Sequence, residues 1–195
     1  KLKAGKLVKT SQLNPHDAEV MFEQVLSEGK DVLYIGFSSG MSGSFDNISY
    51  IAKGLRIKYP DRKIVVIDTL AGAGGEGLLV YYAKKMQQEG KSMEEIAKWL
   101  EDNKLNAHHC FIVSDLINLR NSGRISTLAA LFGMIVHINP VLELTTQGKI
   151  GIVTKSIGRK KSIAEMVKFF KQNYIADDND FILIAPTNCT EEAHA

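Results

Sequence analysis

Serine and glycine residues concentrate in one short segment of the chain, residues 37–44, with the sequence Phe-Ser-Ser-Gly-Met-Ser-Gly-Ser. The segment follows an apolar stretch typical of a strand, 31–36, and precedes a predicted helix. Backbone N–H groups at a helix N-terminus have no partner within the helix and attract negative charge, and serine hydroxyls add further donors. Because the segment has no Lys or Arg and no base beside a serine, the pattern favours binding a carboxylate or phosphate over breaking a bond.

A second glycine-rich segment, residues 72–77 (Gly-Ala-Gly-Gly-Glu-Gly), matches the G-x-G-x-x-G pattern of dinucleotide-binding loops. That pattern also requires an acidic residue at the end of the next strand, about 20 residues further on. Here the distance falls on Glu94 and Glu95, inside a predicted helix. A nucleotide-dependent enzyme therefore stays as an alternative, beside a turn in which glycine lets the backbone approach other backbone or a ligand closely.

Ser38 lies in the pattern Gly-x-Ser-x-Gly, residues 36–40, which is typical of the nucleophile turn of α/β-hydrolases. Catalysis by such a serine requires a histidine and an acid close in space. The candidate histidines are His108, His109, His137 and His194. Their positions, at a strand start, in an apolar strand and near the end of the chain, favour structural roles. A serine-dependent enzyme remains the second enzymatic alternative.

The overall composition is that of an ordinary globular protein, with 45% hydrophobic residues, 24% charged residues and a formal charge of +2. This charge balance does not indicate nucleic-acid binding, and the longest apolar runs, such as 128–138, are too short for a membrane-embedded protein. Cys110 and Cys189 lie in or beside apolar strands and are expected to be buried thiols, which indicates a cytoplasmic protein. Adjacent strand residues point to opposite faces, so His108, His109 and Cys110 predict no metal site.

Continuous apolar runs separated by helical patterns predict an α/β fold with a parallel sheet in the first part of the chain. The predicted strands are 31–37, 63–68 and 109–113, and the predicted helices are 15–29, 46–58, 76–89 and 93–103. We assign residues 1–118 to this parallel-sheet domain, which contains the serine and glycine segment.

The pattern changes after residue 118, and residues 119–195 are predicted to form a second, incomplete domain of the α+β class. Its predicted elements are a helix over 124–133, a hairpin of 136–144 and 149–154, a helix over 162–173 and a strand over 181–185. The chain starts at Lys1 rather than Met and stops soon after an apparent helix start at 190–192. We therefore interpret it as part of a longer protein.

Four short motifs follow one another along the chain. They are T-S-Q at 10–12, S-S-G-M-S-G-S at 38–44, V-I-D-T at 66–69 and N-S-G-R-I at 121–125. In this order and spacing they resemble the DegV family, over nearly the whole chain. The usual family signatures, T-S-Q, S-S-G-L-S-G-T, V-I-D-S and G-G-R-I, appear with changes at Met41, Ser44, Thr69 and Ser122.

DegV proteins are two-domain α/β proteins that bind one long-chain fatty acid, and family members present the bound acyl chain to a fatty acid kinase. The resemblance therefore implies a carrier that is not an enzyme and needs no cofactor or metal. It places the carboxylate contacts on Thr10 and Ser42, with Ser39, Gly43 and Ser44 nearby. The family's C-terminal H-T-G-P-G-like segment, whose histidine approaches the head group, lies outside this sequence.

Arg120 and Arg124 flank the segment Asn-Ser-Gly at 121–123, which is predicted to interrupt the regular secondary structure. They are predicted to be either solvated loop charges or a docking surface for a partner such as the kinase.

Burial of the acyl chain is expected to supply most of the affinity. A 16-carbon chain contributes on the order of 12 kcal/mol, at about 0.8 kcal/mol per buried methylene, before association costs. The segments 128–135 and 78–80 are candidate walls of an acyl tunnel, and ordinary core packing is the alternative for both.

Overall fold

The structure, a computed structural model, describes residues 10–113, 116, 119, 122–124, 138–176 and 182–187. Its first part contains α1 (Pro15–Ser27), β1 (Val32–Gly36), α2 (Ser44–Lys58), β2 (Ile64–Asp68), α3 (Ala73–Gln88) and α4 (Met93–Asn103). A 3-10 turn (Lys104–Asn106) leads to β3 (Cys110–Ile112), β4 (Val141–Leu144), β5 (Ile150–Thr154) and α5 (Arg159–Asn173). The predicted helices that fall on described residues are present, and α2, α3 and α5 begin two or three residues earlier than predicted.

Local sequence signals explain where two of the helices begin. Asn14 caps α1 by accepting a hydrogen bond from the His16 N–H at 3.1 Å, and Pro15 stands in the first turn, where no backbone donor is needed. At the start of α4, Ser92 and Glu95 exchange hydrogen bonds between side chain and backbone in a capping box.

β1 and β2 pair in parallel, with Val32 opposite Ile64 and Gly36 opposite Asp68. Because strand side chains alternate between two faces, each face of this sheet builds its own core. The core against α1 and α2 includes Leu26, Ile48, Ile51 and Leu55, and the core against α3 and α4 includes Ile67, Leu79, Ile96 and Leu100. Both strands end at the same edge of the sheet, where the loops that precede α2 and α3 emerge.

The remaining strands form an antiparallel sheet in the order β3-β4-β5. The hairpin predicted from 136–144 and 149–154 is confirmed in the pairing of β4 with β5. The prediction that 109–113 is a third strand of the parallel sheet is wrong, because Cys110 of β3 lies opposite Glu143 of β4. A short apolar run suits either kind of sheet, and partners far along the chain decide which one it joins.

The α/β fold class, with one parallel and one antiparallel sheet, is confirmed. Residues 182–187 form no strand, so the strand predicted over 181–185 is wrong for the part that the structure describes. The helix predicted over 124–133 and the tunnel-wall segment 128–135 lie outside the described residues, except for Arg124. The division into 1–118 and 119–195 stays a prediction. Among the described helices, none is both long and apolar enough to cross a bilayer.

Candidate anion-binding site

The serine- and glycine-rich segment joins β1 to α2 at the carboxyl edge of the parallel sheet. Helix α2 begins at Ser44, and its N-cap residue is Gly43, which has no side chain to accept from the first amides of the helix. The Ser42 hydroxyl takes up part of that role, accepting a hydrogen bond from the Ser44 N–H at 3.2 Å. The predicted combination of helix N-terminus and serine hydroxyls is therefore present.

The T-S-Q segment lies against this helix start. The Leu13 N–H donates to Ser44 Oγ at 3.1 Å, and the Asn47 side-chain amide donates to Gln12 Oε1 at 3.1 Å. Gly43 permits this approach, since a Cβ at that position would lie 2.5 Å from Gln12 Nε2. Two motifs that are separated by about a whole helix and strand in sequence thus meet at one place.

Hydroxyl groups from both motifs lie at this junction. The Ser42 and Ser44 hydroxyl oxygens are 2.9 Å apart and share a hydrogen bond. Ser42 is half-buried and Thr10 is exposed, so a ligand head group at this position would be in reach of solvent.

Arg124 adds a positive charge that the sequence of the segment itself lacks. Its Nε donates to the Met41 carbonyl oxygen at 2.9 Å, and its Nη1 donates to Thr10 Oγ1 at 3.5 Å. The guanidinium therefore bridges the T-S-Q segment and the serine loop. Arg124 was predicted to be either a solvated loop charge or part of a docking surface. Its observed contacts span 83 residues to Met41 and 114 to Thr10, so no local sequence pattern reveals them. Arg120 lies outside the described residues.

The electrostatics of the junction favour an anion. A guanidinium is permanently charged and matches a carboxylate in shape, and the N-terminus of α2 adds partial positive charge. Hydrogen bonds from such groups to a carboxylate are shorter and stronger than neutral ones. The arrangement can bind and orient a carboxylate whose remaining atoms extend elsewhere.

Ser39 is held at a different part of the loop from Ser42. Its N–H donates to Asp68 Oδ1 at 3.2 Å, and the same oxygen accepts from the Leu70 N–H at 3.0 Å. Leu70 has a φ of +52°, an uncommon conformation for a residue with a side chain, and the Asp68 contact holds it there. Asp68 therefore ties together the two loops at the sheet edge, as a residue that caps a strand-end turn.

The Ser38 hydroxyl is already committed to two backbone partners. Ser38 is fully buried; its Oγ donates to the Gly148 carbonyl at 2.8 Å and accepts from the Gly40 N–H at 3.1 Å. A nucleophilic serine instead gives its proton to a base. This geometry supports a structural role for Ser38 over the hydrolase alternative.

The glycines of 72–77 bring other groups close to α3. A Cβ on Gly72, the N-cap residue, would lie 2.5 Å from Phe37 Cε2, and a Cβ on Gly75 would overlap the His109 imidazole. Glu76 stands in the first turn of α3, where its negative charge opposes a phosphate, and burial raises its pKa. The segment thus supports the close-packing interpretation rather than a dinucleotide loop.

His109 and Cys110, at the start of β3, are half-buried, whereas Cys110 was predicted to be a buried thiol. Burial lowers the pKa of His109, and the neighbouring His108 lowers it further. Burial also raises the pKa of the Cys110 thiol to about 11, with a contribution from Glu143. Cys110 is a free thiol, while Cys189 lies outside the described residues.

Within the described ranges no group of three or more His, Cys, Asp or Glu residues is placed to hold a metal ion.

Comparison with known sequences decides the family. The sequence model of the DegV family, whose description is that of an uncharacterised protein family, matches residues 1–195. This chain belongs to the DegV family. It is 37% identical over 193 residues to a DegV domain-containing protein of Clostridium perfringens, and 36% identical over 167 residues to one of Lactococcus lactis. These matches cover 99% and 86% of this chain but only 66% and 58% of the relatives, so the chain spans less than two thirds of their length.

Solved DegV structures share the fold. A DegV family protein from Thermus thermophilus, described as binding fatty acid, is 30% identical with a TM-score of 0.75, covering 85% of this chain and 57% of that one. A fatty-acid-binding DegV family protein from Streptococcus agalactiae is 28% identical with a TM-score of 0.77, covering 86% and 58%. A stearic-acid-binding protein from Eubacterium ventriosum is 25% identical with a TM-score of 0.78, covering 85% and 56%.

In this DegV chain, the structure brings together most of the residues that the family resemblance singled out. Thr10, Ser42, Gly43 and Ser44 lie at one junction with Arg124. Ser39 lies on the Asp68 side of the loop. The contributions of Gln12, Asn47 and Arg124 to this junction were missed, although Gln12 belongs to the T-S-Q motif and Arg124 to the N-S-G-R-I motif.

Proposed function

We propose that this DegV protein binds one long-chain fatty acid and acts as a carrier that performs no chemistry itself. Thr10 and Ser42 would hold the carboxylate, with Ser44 and Gly43 completing the helix N-terminus and Ser39 shaping the loop. The supporting observation is the meeting of two hydroxyl-bearing motifs and a guanidinium at the start of α2. The fatty-acid-binding descriptions of its structural neighbours supply the ligand class.

The two ends of such a ligand make different contributions. Each charge-assisted hydrogen bond to the carboxylate stabilises the complex by about 1.5–3 kcal/mol. Burial of the acyl chain contributes about 0.8 kcal/mol per methylene, which outweighs the head group for chains of 14 to 18 carbons. The hydroxyls therefore set the position of the head group, and the apolar interior sets affinity and chain preference.

A carrier for a kinase must expose the group to be phosphorylated. Thr10 is exposed and Ser42 is half-buried, so a carboxylate between them would face a partner while the acyl chain stays inside. We therefore include presentation of the acyl carboxylate to a fatty acid kinase, in the cytoplasm, in the proposed function. Arg124, which donates to Thr10 Oγ1, would lie beside that opening, as a docking residue would.

The test of the head-group site uses delipidated intact protein titrated with palmitate. The double variant Thr10→Ala/Ser42→Ala loses two hydroxyls, and we expect its affinity to fall by about 100-fold or more. The conservative variant Thr10→Ser keeps a hydroxyl and is expected to bind within a few-fold of wild type. Unchanged palmitate affinity in the double variant would show that these residues do not hold the head group.

A charge reversal separates the two roles open to Arg124. For a docking residue, Arg124→Glu slows acyl phosphate formation by the kinase while palmitate affinity is unchanged. A residue of the head-group site, as its contact with Thr10 suggests, loses palmitate affinity on the same change. Lys98→Glu, on the exposed face of α4, is the matched control and is expected to alter neither measurement.

A further inference from the structure

The turn between β4 and β5 is seated directly on the serine loop. The Ser38 hydroxyl donates to the Gly148 carbonyl at 2.8 Å, and both residues are buried. The contact joins residues 110 positions apart. It connects the antiparallel sheet to the loop that precedes α2, at a place where water is excluded.

Two glycines let the β4–β5 turn and the serine loop approach each other closely. Gly148 has a φ of +66°, and a Cβ there would collide with Ser38 Oγ and lie 3.0 Å from Leu70 Cα. On the other side, a Cβ on Gly40 would collide with the Gln147 carbonyl and lie 2.8 Å from Gly148 C. The junction therefore has no room for even one added methyl group on either side.

Ser38 also shapes the loop as far as the proposed carboxylate contact. Its carbonyl oxygen accepts from the Met41 and Ser42 N–H groups, both at 3.1 Å, and its N–H donates to the Ala71 carbonyl at 2.8 Å. Its hydroxyl accepts from the Gly40 N–H at 3.1 Å. A shift of Ser38 would consequently move the backbone of Ser42 with it.

The β4–β5 turn that contacts Ser38 is held by hydrogen bonds of its own. The Gly148 N–H donates to the Thr145 carbonyl at 2.8 Å, and the Thr145 N–H donates to the Lys149 carbonyl at 2.8 Å. The Gln147 N–H is held by Thr145 Oγ1 at 3.3 Å. These hydrogen bonds fix the backbone of the turn at the point where it contacts Ser38.

We propose that Ser38 and Gly148 are positioning residues for the head-group site: the β4–β5 turn, seated on Ser38, fixes where Ser42 stands. This inference rests on the proposed function, because it assigns a role within the same site. Neither residue is among the proposed carboxylate contacts. They act through the loop, so their loss should reduce the preference for a carboxylate over an uncharged head group of the same chain length.

The experiment measures the affinities of palmitate and hexadecanol for the delipidated intact protein and takes their ratio. Ser38→Ala removes the hydroxyl without adding an atom, and we expect its palmitate preference to fall about fivefold, the effect of losing one positioned hydrogen bond. Gly148→Ala forces the turn away from the loop and is expected to lower the ratio at least as much. Hexadecanol affinity should stay within about twofold in both variants.

A matched control measures how much replacing any glycine at positive φ affects stability and ligand binding. Gly90 has a φ of +81° with nothing within 4 Å of its Cβ position, so Gly90→Ala carries the backbone cost without the collision. We expect Gly90→Ala to lower thermal stability and leave the ratio unchanged. In the double variant Ser38→Ala/Gly148→Ala, the collision partner Ser38 Oγ is gone, so the Gly148→Ala effect should shrink.

The outcomes separate the two proposals. A wild-type protein that binds neither ligand, or binds both without preference, contradicts the proposed function itself. A wild type that prefers palmitate, with Ser38→Ala and Gly148→Ala losing stability but keeping the ratio within twofold, overturns the positioning role alone. If Gly148→Ala does not fold, Ser38→Ala decides the question, because it removes the hydrogen bond to Gly148 without adding an atom to the junction.

Discussion

Replacing Ser42 with alanine removes one hydroxyl from the proposed carboxylate site and leaves the rest of the chain unchanged. That hydroxyl shares a 2.9 Å hydrogen bond with Ser44 Oγ and accepts from the Ser44 N–H at 3.2 Å. A carboxylate bound there gains a charge-assisted hydrogen bond worth about 1.5–3 kcal/mol. Ser42→Ala should therefore weaken palmitate binding by about 10- to 150-fold, at 1.4 kcal/mol for each factor of ten.

The loss of the hydroxyl should be specific to the charged head group. We expect hexadecanol affinity to change by less than about threefold, because the acyl chain contacts are retained and the alcohol has no negative charge. Competition with a fluorescent fatty acid on delipidated protein measures both constants. The control is Ser27→Ala, which removes an exposed hydroxyl bonded to the Gln24 carbonyl in α1. Equal losses for palmitate and hexadecanol would refute the assignment of Ser42 to the head group.

Three further predictions concern stability and reactivity. Gly75→Ala should destabilise the fold by about 1–3 kcal/mol in denaturant titrations, because the added Cβ would overlap the His109 ring. The control Gly54→Ala, inside α2 with open space around it, should stabilise the fold by about 0.5–1 kcal/mol. Equal effects of the two substitutions would contradict the close packing of Gly75 against His109. Because the pKa of His109 is lowered in the folded protein, the free energy of unfolding is highest above the ordinary histidine pKa of 6.5 and falls as the pH drops below it. Replacing this imidazole in His109→Asn should therefore flatten the dependence of the free energy of unfolding on pH between 7.5 and 5.5, about one pH unit to either side of that pKa. Cys110 is half-buried and its pKa is raised to about 11, so it should react with thiol reagents at neutral pH much more slowly in the folded protein than after denaturation. Equal labelling rates in the two states would contradict this.

Local signals were sufficient for most of the secondary structure. Asn14 before a proline and the Ser92–Glu95 capping box fix two helix starts because the capping groups are neighbours in sequence. The start of α2 was predicted two residues late because its N-cap is Gly43, which carries no capping side chain to mark the position.

Long-range relations could not be predicted in the same way. The strand at β3 carries no sequence feature that distinguishes parallel from antiparallel partners, and its pairing with β4 depends on the fold of a distant segment. Arg124 reaches Thr10 and Met41 across more than 80 residues. The hydrogen bond from the Ser38 hydroxyl to the Gly148 carbonyl depends on the backbone conformations of two loops that are distant in sequence. Motif order predicted which residues belong to the proposed head-group site, but the structure was needed to show that Arg124 joins Thr10 to the serine loop.

The most direct test of the central claim is native mass spectrometry of the intact purified protein, followed by organic extraction and identification of the released lipid. We expect one bound molecule per chain with the mass of a fatty acid of 14 to 18 carbons, and substantial loss of that occupancy in Thr10→Ala/Ser42→Ala. A protein that is free of lipid as purified, and that stays so when palmitate is added after delipidation, would show that it is not a fatty-acid carrier.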